Sequence, residues 1–188
     1  MKIEIDNALK ILKNGGIILY PTDTIWGIGC DATNPEAVER IYKLKGRDAG
    51  KSMIILLDTD AKLPGYVNEV PDIAYDLIEY AERPLTLIFS GAKNLAGNVI
   101  HQDGTIGIRI VKHAFCQQLI QRFKKPIVST SANISGQPSP TSFSNIDEQI
   151  KAGVDYVVNL EQDEPATNRQ PSTIMRLEPN GRFAFIRR

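Results

Sequence analysis

The residues best suited to chemistry in this sequence are two cations flanking a glycine, Lys45 and Arg47, and a later polar run, Ser129-Thr-Ser-Ala-Asn133. Residues two positions apart do not share a helix face, so the cations are expected where a helix ends, both aimed at one anion. Hydroxyl and amide groups hold a polar ligand without adding charge. The combination predicts a site for a phosphorylated or carboxylated ligand. The alternative is that both cations only cap carbonyl groups at a helix end, where the dipole favours positive charge.

A third cation is predicted to lie on a strand. The segment 105–110 alternates, so Thr105, Gly107 and Arg109 share one face and the isoleucines the other. An arginine there can bind a carboxylate or phosphate through two parallel hydrogen bonds, or it can lie at a solvated sheet edge. Residues 22–24 form a polar loop directly after an apolar strand, and open α/β sheets bind ligands at such strand ends.

Apolar spacing predicts the elements that position these side chains. Helices are predicted at residues 6–13, 35–45, 71–80 and 113–123, and from Ser142 or Ser144 to 150; strands are predicted at 17–20, 52–57, 84–89, 105–110, 126–130 and 156–159. A hairpin is predicted at 172–177 and 182–186, a surface loop at 161–170, and a turn at the Gly-Ile-Gly of 27–29. This order predicts a mixed α/β (α+β) fold, in which helices pack on a twisted mixed β-sheet.

Composition and absent motifs exclude several classes of protein. The 22 basic residues balance the 22 acidic residues, so binding to nucleic acid would need a local patch. The apolar runs are far shorter than the ~20 residues of a membrane helix, and the start is not a signal peptide, so a cytoplasmic location without membrane partners is expected. No P-loop, H-E-x-x-H or C-x-x-C motif occurs, so no metal held by the protein is expected. The two cysteines are expected to be free thiols or a single disulfide.

Five blocks of the sequence carry a resemblance to a known family. They are Pro21-Thr-Asp-Thr-Ile-Trp-Gly-Ile-Gly29, Ile41-Tyr-Lys-Leu-Lys-Gly-Arg47, Thr105-Ile-Gly-Ile-Arg109, Ser129-Thr-Ser-Ala-Asn-Ile-Ser-Gly136 and Pro171-Ser-Thr-Ile174. In this order they resemble the threonylcarbamoyl-AMP synthase family, the YrdC-like proteins of tRNA modification. The resemblance implies a single YrdC-like domain at 5–188 around a concave cavity, without the additional C-terminal domain of longer members.

The resemblance also implies an activity. Members of the family are nucleotidyltransferases that join L-threonine, bicarbonate and ATP, with Mg²⁺ accompanying ATP, to give L-threonylcarbamoyl-AMP and pyrophosphate. The product would pass to a tRNA threonylcarbamoyl-transfer complex that forms N6-threonylcarbamoyladenosine, and some members bind tRNA or double-stranded RNA. Two alternatives remain at this point: an RNA-binding protein of the same fold, and an ATP-dependent relative acting on another substrate.

The resemblance assigns roles by position. Lys45 and Arg47 match the family's K-x-R pair, Ser131 and Asn133 match its S-x-N pair, and these four are the predicted catalytic residues. The predicted contacts to ATP are Arg47, Lys51, Thr105, Asn133, Thr141 and Arg187; those to threonine are Thr24, Arg109, Ser131 and Ser172. This sequence departs from the family in three places: Trp26 replaces the usual tyrosine, Asp48 replaces a frequent proline, and Leu56 stands where longer members can have a histidine.

Overall fold

The computed structural model describes residues 1–47, 53–162 and 170–187. Its helices are α1 (Lys2–Lys13), α2 (Pro35–Lys45), α3 (Ile73–Glu79), α4 (Ala114–Phe123) and α5 (Glu148–Gly153), with 3-10 turns at Asp60–Gly65 and Phe143–Asn145. Its strands are β1 (Ile18–Tyr20), β2 (Gly27–Gly29), β3 (Ile54–Leu57), β4 (Leu85–Phe89), β5 (Ile106–Ile110), β6 (Ile127–Ser131), β7 (Tyr156–Val157), β8 (Thr173–Leu177) and β9 (Phe183–Arg187). Among these described helices, none has the length and apolar character needed to cross a bilayer.

The strands form one mixed sheet in the order β7-β1-β2-β6-β3-β5-β4-β8-β9. Neighbouring strands are antiparallel except for three parallel pairs, β1 with β7, β3 with β5 and β4 with β8. Helices pack on the sheet, so the predicted mixed sheet flanked by helices is confirmed.

Alternation along the strands sends side chains into two separate cores. On β3, Ile55 and Leu57 join the core that contains α2 and α5, whereas Leu56 joins the core beneath α1 and α4. Arg109 on β5 is the register partner of Leu56. It therefore projects from the sheet face that also carries α1 and α4, which places its charge beside an apolar core.

Three helix predictions differ from the structure in their boundaries by more than one residue, and the helix predicted at 71–80 contains only Ile73–Glu79. Helix α1 begins at Lys2 rather than at residue 6, because Ile5 is buried and extends the apolar stripe toward the N-terminus. The single helix predicted to end at 150 is instead a 3-10 turn followed by α5. The break occurs because Asp147 caps α5 by accepting a hydrogen bond from the backbone N–H of Gln149 at 2.7 Å.

One strand prediction is longer than the observed strand, and two other predictions include residues that the structure does not describe. The strand predicted at 156–159 contains only Tyr156–Val157. Ser52, the predicted start of β3, and residues 163–169 of the predicted surface loop lie outside the part of the chain that the structure describes.

The predicted turn at 27–29 is wrong, because these residues form the strand β2 between β1 and β6. Glycine has a low strand propensity, but here close packing requires it. A Cβ on Gly29 would lie 2.4 Å from the carbonyl oxygen of Val128 and 2.8 Å from a ring carbon of Tyr20. The Tyr20 hydroxyl donates to that same carbonyl at 3.1 Å, so the ring cannot move aside without breaking this bond.

We therefore expect Gly29→Ala to lower the free energy of unfolding by about 2–3 kcal/mol, because the strand must shift away from a backbone atom. Urea denaturation would measure the loss. Gly97→Ala is the matched control, since a Cβ at Gly97 meets nothing within 4 Å. Equal losses in the two variants would contradict the packing argument.

Candidate functional site

A cavity of about 230 Å³ lies over the strands that carry the predicted site residues. Its described lining combines three arginines, several hydroxyl groups and an apolar wall: Thr24, Ile25, Trp26, Gly27, Arg47, Met53, Ile54, Thr86, Arg109, Ser129, Thr130, Ser131, Ser139, Pro171, Ser172, Ile174 and Arg187. We call it the first cavity. Side chains from both ends of the chain therefore line one concave space, where the sequence predicts an anionic ligand.

Arg109 is the most deeply placed of the three arginines, with a side-chain exposure of 3%. Its Nη1 donates to the hydroxyl of Thr24 at 2.8 Å, and its Nη2 lies 3.4 Å from a carboxylate oxygen of Asp23. Its Nε is buried without a hydrogen-bond partner. A buried N–H of a charged group that has no acceptor is costly. A carboxylate or phosphate bound beside Arg109 would provide such an acceptor.

Arg187 approaches the first cavity from β9. Its Nε and Nη2 both donate to the backbone carbonyl of Ser172, at 3.1 and 2.8 Å. Burial, and then the positive charge of Arg109, lower the pKa of Arg187. An anion bound beside Arg187 would favour its charged form and so offset this effect.

Thr86 is a cavity residue that the sequence analysis missed. Its side chain is fully buried, and its hydroxyl lies 2.8 Å from the hydroxyl of Ser172. Thr86 is also the register partner of Arg109, so this hydroxyl pair stands beside the guanidinium. A threonine in an otherwise apolar strand was the only available signal, and without the register nothing connected it to the site.

Lys45 and Arg47 stand at the end of α2, where Gly46 adopts a left-handed φ of 56°. Arg47 lines the first cavity. Lys45 does not line it; its ammonium group is fully buried and donates to the backbone carbonyls of Ser131 and Asn133. Lys45 thus binds carbonyl groups, as the capping alternative supposed, but they belong to the distant polar run rather than to its own helix.

The environment of these two cations lowers the pKa of both. Burial, and then the charge of Arg47, lower the pKa of Lys45 to about 8. Burial also lowers the pKa of Arg47, against the opposing effect of Tyr42. Desolvated cations of this kind favour a nearby negative charge, in keeping with a site for an anionic ligand.

A second cavity of about 490 Å³ adjoins the first at Ser139, which lines both. Its described lining contains no Lys or Arg: Ala132, Asn133, Ile134, Gln137, Pro138, Ser139, Pro140, Thr141, Asn145 and Asp147. The side-chain amide of Asn133 donates to the carbonyls of Ile134 and Gln137 at 2.9 and 2.7 Å, and its Oδ1 is buried without a partner. The second cavity therefore offers hydrogen-bond acceptors rather than positive charge.

The remaining predicted residues have different positions. Thr141 lines the second cavity. Thr105 lines neither cavity, and its hydroxyl donates to a carboxylate oxygen of Asp103 at 2.6 Å. Lys51 and the departure at Asp48 lie outside the described residues. Trp26 lines the first cavity and packs on Phe143, with ring centroids 4.9 Å apart.

The chain is similar to proteins of a known family along almost its whole length. The model of the Sua5/YciO/YrdC family, described as telomere recombination, matches residues 10–188. The chain belongs to the Sua5/YciO/YrdC family. The threonylcarbamoyl-AMP synthase of Pseudoalteromonas translucida is 37% identical over 171 residues, which cover 89% of each chain. The predicted family resemblance is thereby confirmed.

Solved members of the Sua5/YciO/YrdC family have the same fold. Sua5 of P. abyssi, solved in complex with L-threonine, superposes with a TM-score of 0.83 at 30% identity. The comparison covers 92% of this chain but only 50% of the P. abyssi protein, so this chain spans half the length of that relative. YciO of E. coli superposes with a TM-score of 0.84 at 23% identity, over all of this chain and 89% of YciO.

Proposed function

We propose that this chain is an L-threonylcarbamoyladenylate synthase, which converts L-threonine, bicarbonate and ATP into L-threonylcarbamoyl-AMP and pyrophosphate. The observation that carries the proposal is the first cavity, whose lining includes three arginines (Arg47, Arg109 and Arg187) together with Ser131. Threonylcarbamoyl-AMP synthases are similar to this chain over most of its length. The product would serve threonylcarbamoylation of tRNA by a separate transfer complex.

In this proposal the anionic groups of the substrates bind in the first cavity, and the uncharged nucleoside of ATP binds in the second. Threonine's carboxylate, its carbamate and the phosphates are anions that repel one another at short range, and the three arginines of the first cavity offset this repulsion. ATP enters as its magnesium complex, which reduces the phosphate charge further. The nucleoside carries no charge and has N–H and O–H donors, which suit the acceptors of the second cavity.

The position of Ser139 between the cavities indicates where the chemistry occurs. If the nucleoside occupies the second cavity and the amino acid the first, the α-phosphate lies near their common border. There the carbamate oxygen attacks the α-phosphorus and pyrophosphate leaves, so that one P–O bond forms as another breaks. The protein mainly holds the reactants in line and stabilises the developing charge.

Individual residues receive roles from their surroundings. Arg109, with its unpaired Nε, binds the carboxylate of threonine. Thr24 accepts a hydrogen bond from Arg109. Ser172 is hydrogen-bonded to Thr86, the register partner of Arg109. Arg47 and Arg187 bind phosphate oxygens. Lys45 positions the loop that presents Ser131 and Asn133 rather than reaching the phosphates itself, because its ammonium group already binds two carbonyls.

The proposal is tested by ATP–pyrophosphate exchange with the purified chain. We expect exchange that requires ATP, Mg²⁺, L-threonine and bicarbonate together, and a product with the mass of threonylcarbamoyl-AMP. Exchange supported better by another amino acid would replace threonine in the proposal. ATP hydrolysis without threonine-dependent exchange, or RNA binding alone, would contradict the synthase activity.

Thr86 provides a prediction within this proposal. Because Thr86 holds the Ser172 hydroxyl at 2.8 Å in the threonine part of the cavity, we expect Thr86→Val to raise the KM for threonine about tenfold, as the loss of one buried hydrogen bond implies. The KM for ATP should stay within about twofold. Thr173→Val is the matched control, since Thr173 does not line either cavity. An equal effect of both substitutions would show that Thr86 has no specific role.

A further inference from the structure

A chain of buried hydroxyl groups leads from Arg109 into the loop after β1. Nη1 of Arg109 donates to Oγ1 of Thr24 at 2.8 Å, and this hydroxyl lies 2.9 Å from the hydroxyl of Thr22. The Thr22 hydroxyl in turn donates to the backbone carbonyl of Ile25 at 2.7 Å. Thr24 is 4% exposed and Thr22 is 1% exposed, so solvent does not compete for these bonds.

The order of the bonds fixes which way the Thr24 hydroxyl points. A hydroxyl has one proton to donate, and the proton of Thr22 goes to the carbonyl of Ile25, which can only accept. Between the two hydroxyls, Thr24 is therefore the donor and Thr22 the acceptor. Thr22 also accepts the backbone N–H of Thr24 at 3.0 Å, which holds both residues in this arrangement.

The consequence is that Thr24 can offer a ligand only an acceptor. Its proton is used by Thr22, one of its lone pairs receives Arg109, and one lone pair remains at the wall of the first cavity. A carboxylate has acceptors alone and gains nothing from such a hydroxyl. An amino nitrogen keeps an N–H both as an amine and as a carbamate, so it is the group of an amino acid that fits.

We propose that Thr22 is a positioning residue that turns the Thr24 hydroxyl into an acceptor for the amino nitrogen of the substrate, while Arg109 binds its carboxylate. This inference rests on the proposed synthase function, because it concerns the amino acid of that reaction. Thr22 is not among the described residues that line the first cavity, so it acts through Thr24. The hydrogen bond to Thr24 thereby orients the amino nitrogen, which is the atom that must react with bicarbonate.

The test compares two ligands that differ only at the amino group. Binding of L-threonine and of (R)-3-hydroxybutanoate, which lacks the amine, would be measured by calorimetry for the full chain and for Thr22→Val. We expect at least about tenfold weaker binding of L-threonine, as the loss of one hydrogen bond to a charged group implies, and less than about twofold change for (R)-3-hydroxybutanoate and ATP. Thr22→Ser, which retains the oxygen, should bind threonine like the unmodified chain.

Several outcomes would overturn the proposal. If Thr22→Val weakens both ligands equally, Thr24 serves the carboxylate or the loop has collapsed, and if neither binding changes, the hydroxyl direction is irrelevant. Thr22→Ala removes the same oxygen without adding atoms and gives the same test if valine distorts the loop. Because binding is measured without turnover, a chain with the expected pattern but without pyrophosphate release would contradict the synthase function alone.

Discussion

Arg109→Lys is expected to reduce kcat/KM for threonine about 100- to 1,000-fold, which corresponds to about 3–4 kcal/mol of transition-state stabilisation. Lysine keeps the positive charge beside Asp23, so the fold should survive the change. It cannot reproduce the planar fork of an arginine, which here donates from Nη1 to the Thr24 hydroxyl and has a buried Nε without a partner. Initial rates of pyrophosphate release at varied threonine would measure the loss.

The matched control is Arg176→Lys on β8. Arg176 is 42% exposed and pairs with Glu178 at 3.1 Å at the surface, so the same chemical change should leave the kinetics within about twofold, as is usual for exposed ion pairs. If Arg109→Lys also stayed within that range, the carboxylate of the substrate would bind elsewhere. The proposed division of roles among the three arginines would then be wrong.

Much of this site was predictable from short patterns. The alternation at 105–110 predicts Arg109 on one face of a strand, and the K-x-R and S-x-N pairs predict a shared anion site. The strand prediction agrees with the structure because periodicity is a local property of the chain. The shared anion site stays a prediction, since Arg47 and Ser131 line the first cavity but Lys45 does not. The partners of Lys45 were not predictable in this way, since the carbonyls it binds lie 86 and 88 residues further along the sequence.

Other features depended on packing that sequence patterns do not show. The strand at Gly27–Gly29 forms by pairing with β1 and β6, despite the low strand propensity of glycine. The Tyr20 ring and the Val128 carbonyl leave no room for a Cβ at Gly29. Thr86 enters the site only through the register of β4 and β5. The predicted ATP contacts of Thr105 and Lys51 stay predictions, since Thr105 binds Asp103 and Lys51 is outside the described residues.

Lys45→Met is expected to reduce kcat/KM for ATP about a hundredfold, the loss typical of a displaced preorganised group. The ammonium group of Lys45 joins the end of α2 to the carbonyls of Ser131 and Asn133, and these residues line the first and second cavities respectively. Without these two hydrogen bonds, the loop that borders both cavities is held less firmly against α2. Lys43→Met is the matched control, because Lys43 is 75% exposed on the same helix.

A double-mutant cycle separates positioning from direct contact. If Lys45 acts through the loop, Asn133→Ala should already cause part of the same loss, and the effects of the two substitutions should fall well short of additivity. Additive losses would instead support the direct contact of Lys45 with the phosphates that the sequence analysis predicted.

The unusual environment of Lys45 gives an independent check through pH. Its pKa falls from 10.5 to about 8 on folding, so between these values the unfolded chain binds a proton that the folded chain does not. The contribution of Lys45 to stability therefore rises with pH through this window and is lost as the pH falls through 8. From pH 7 to pH 9.5, the free energy of unfolding should therefore rise by about 2 kcal/mol more in the unmodified chain than in Lys45→Met. Urea titrations at both pH values would measure these free energies. An equal pH dependence in the unmodified chain and in Lys45→Met would contradict the prediction, because it would mean that the two carbonyl partners compensate fully for the water lost by the ammonium group.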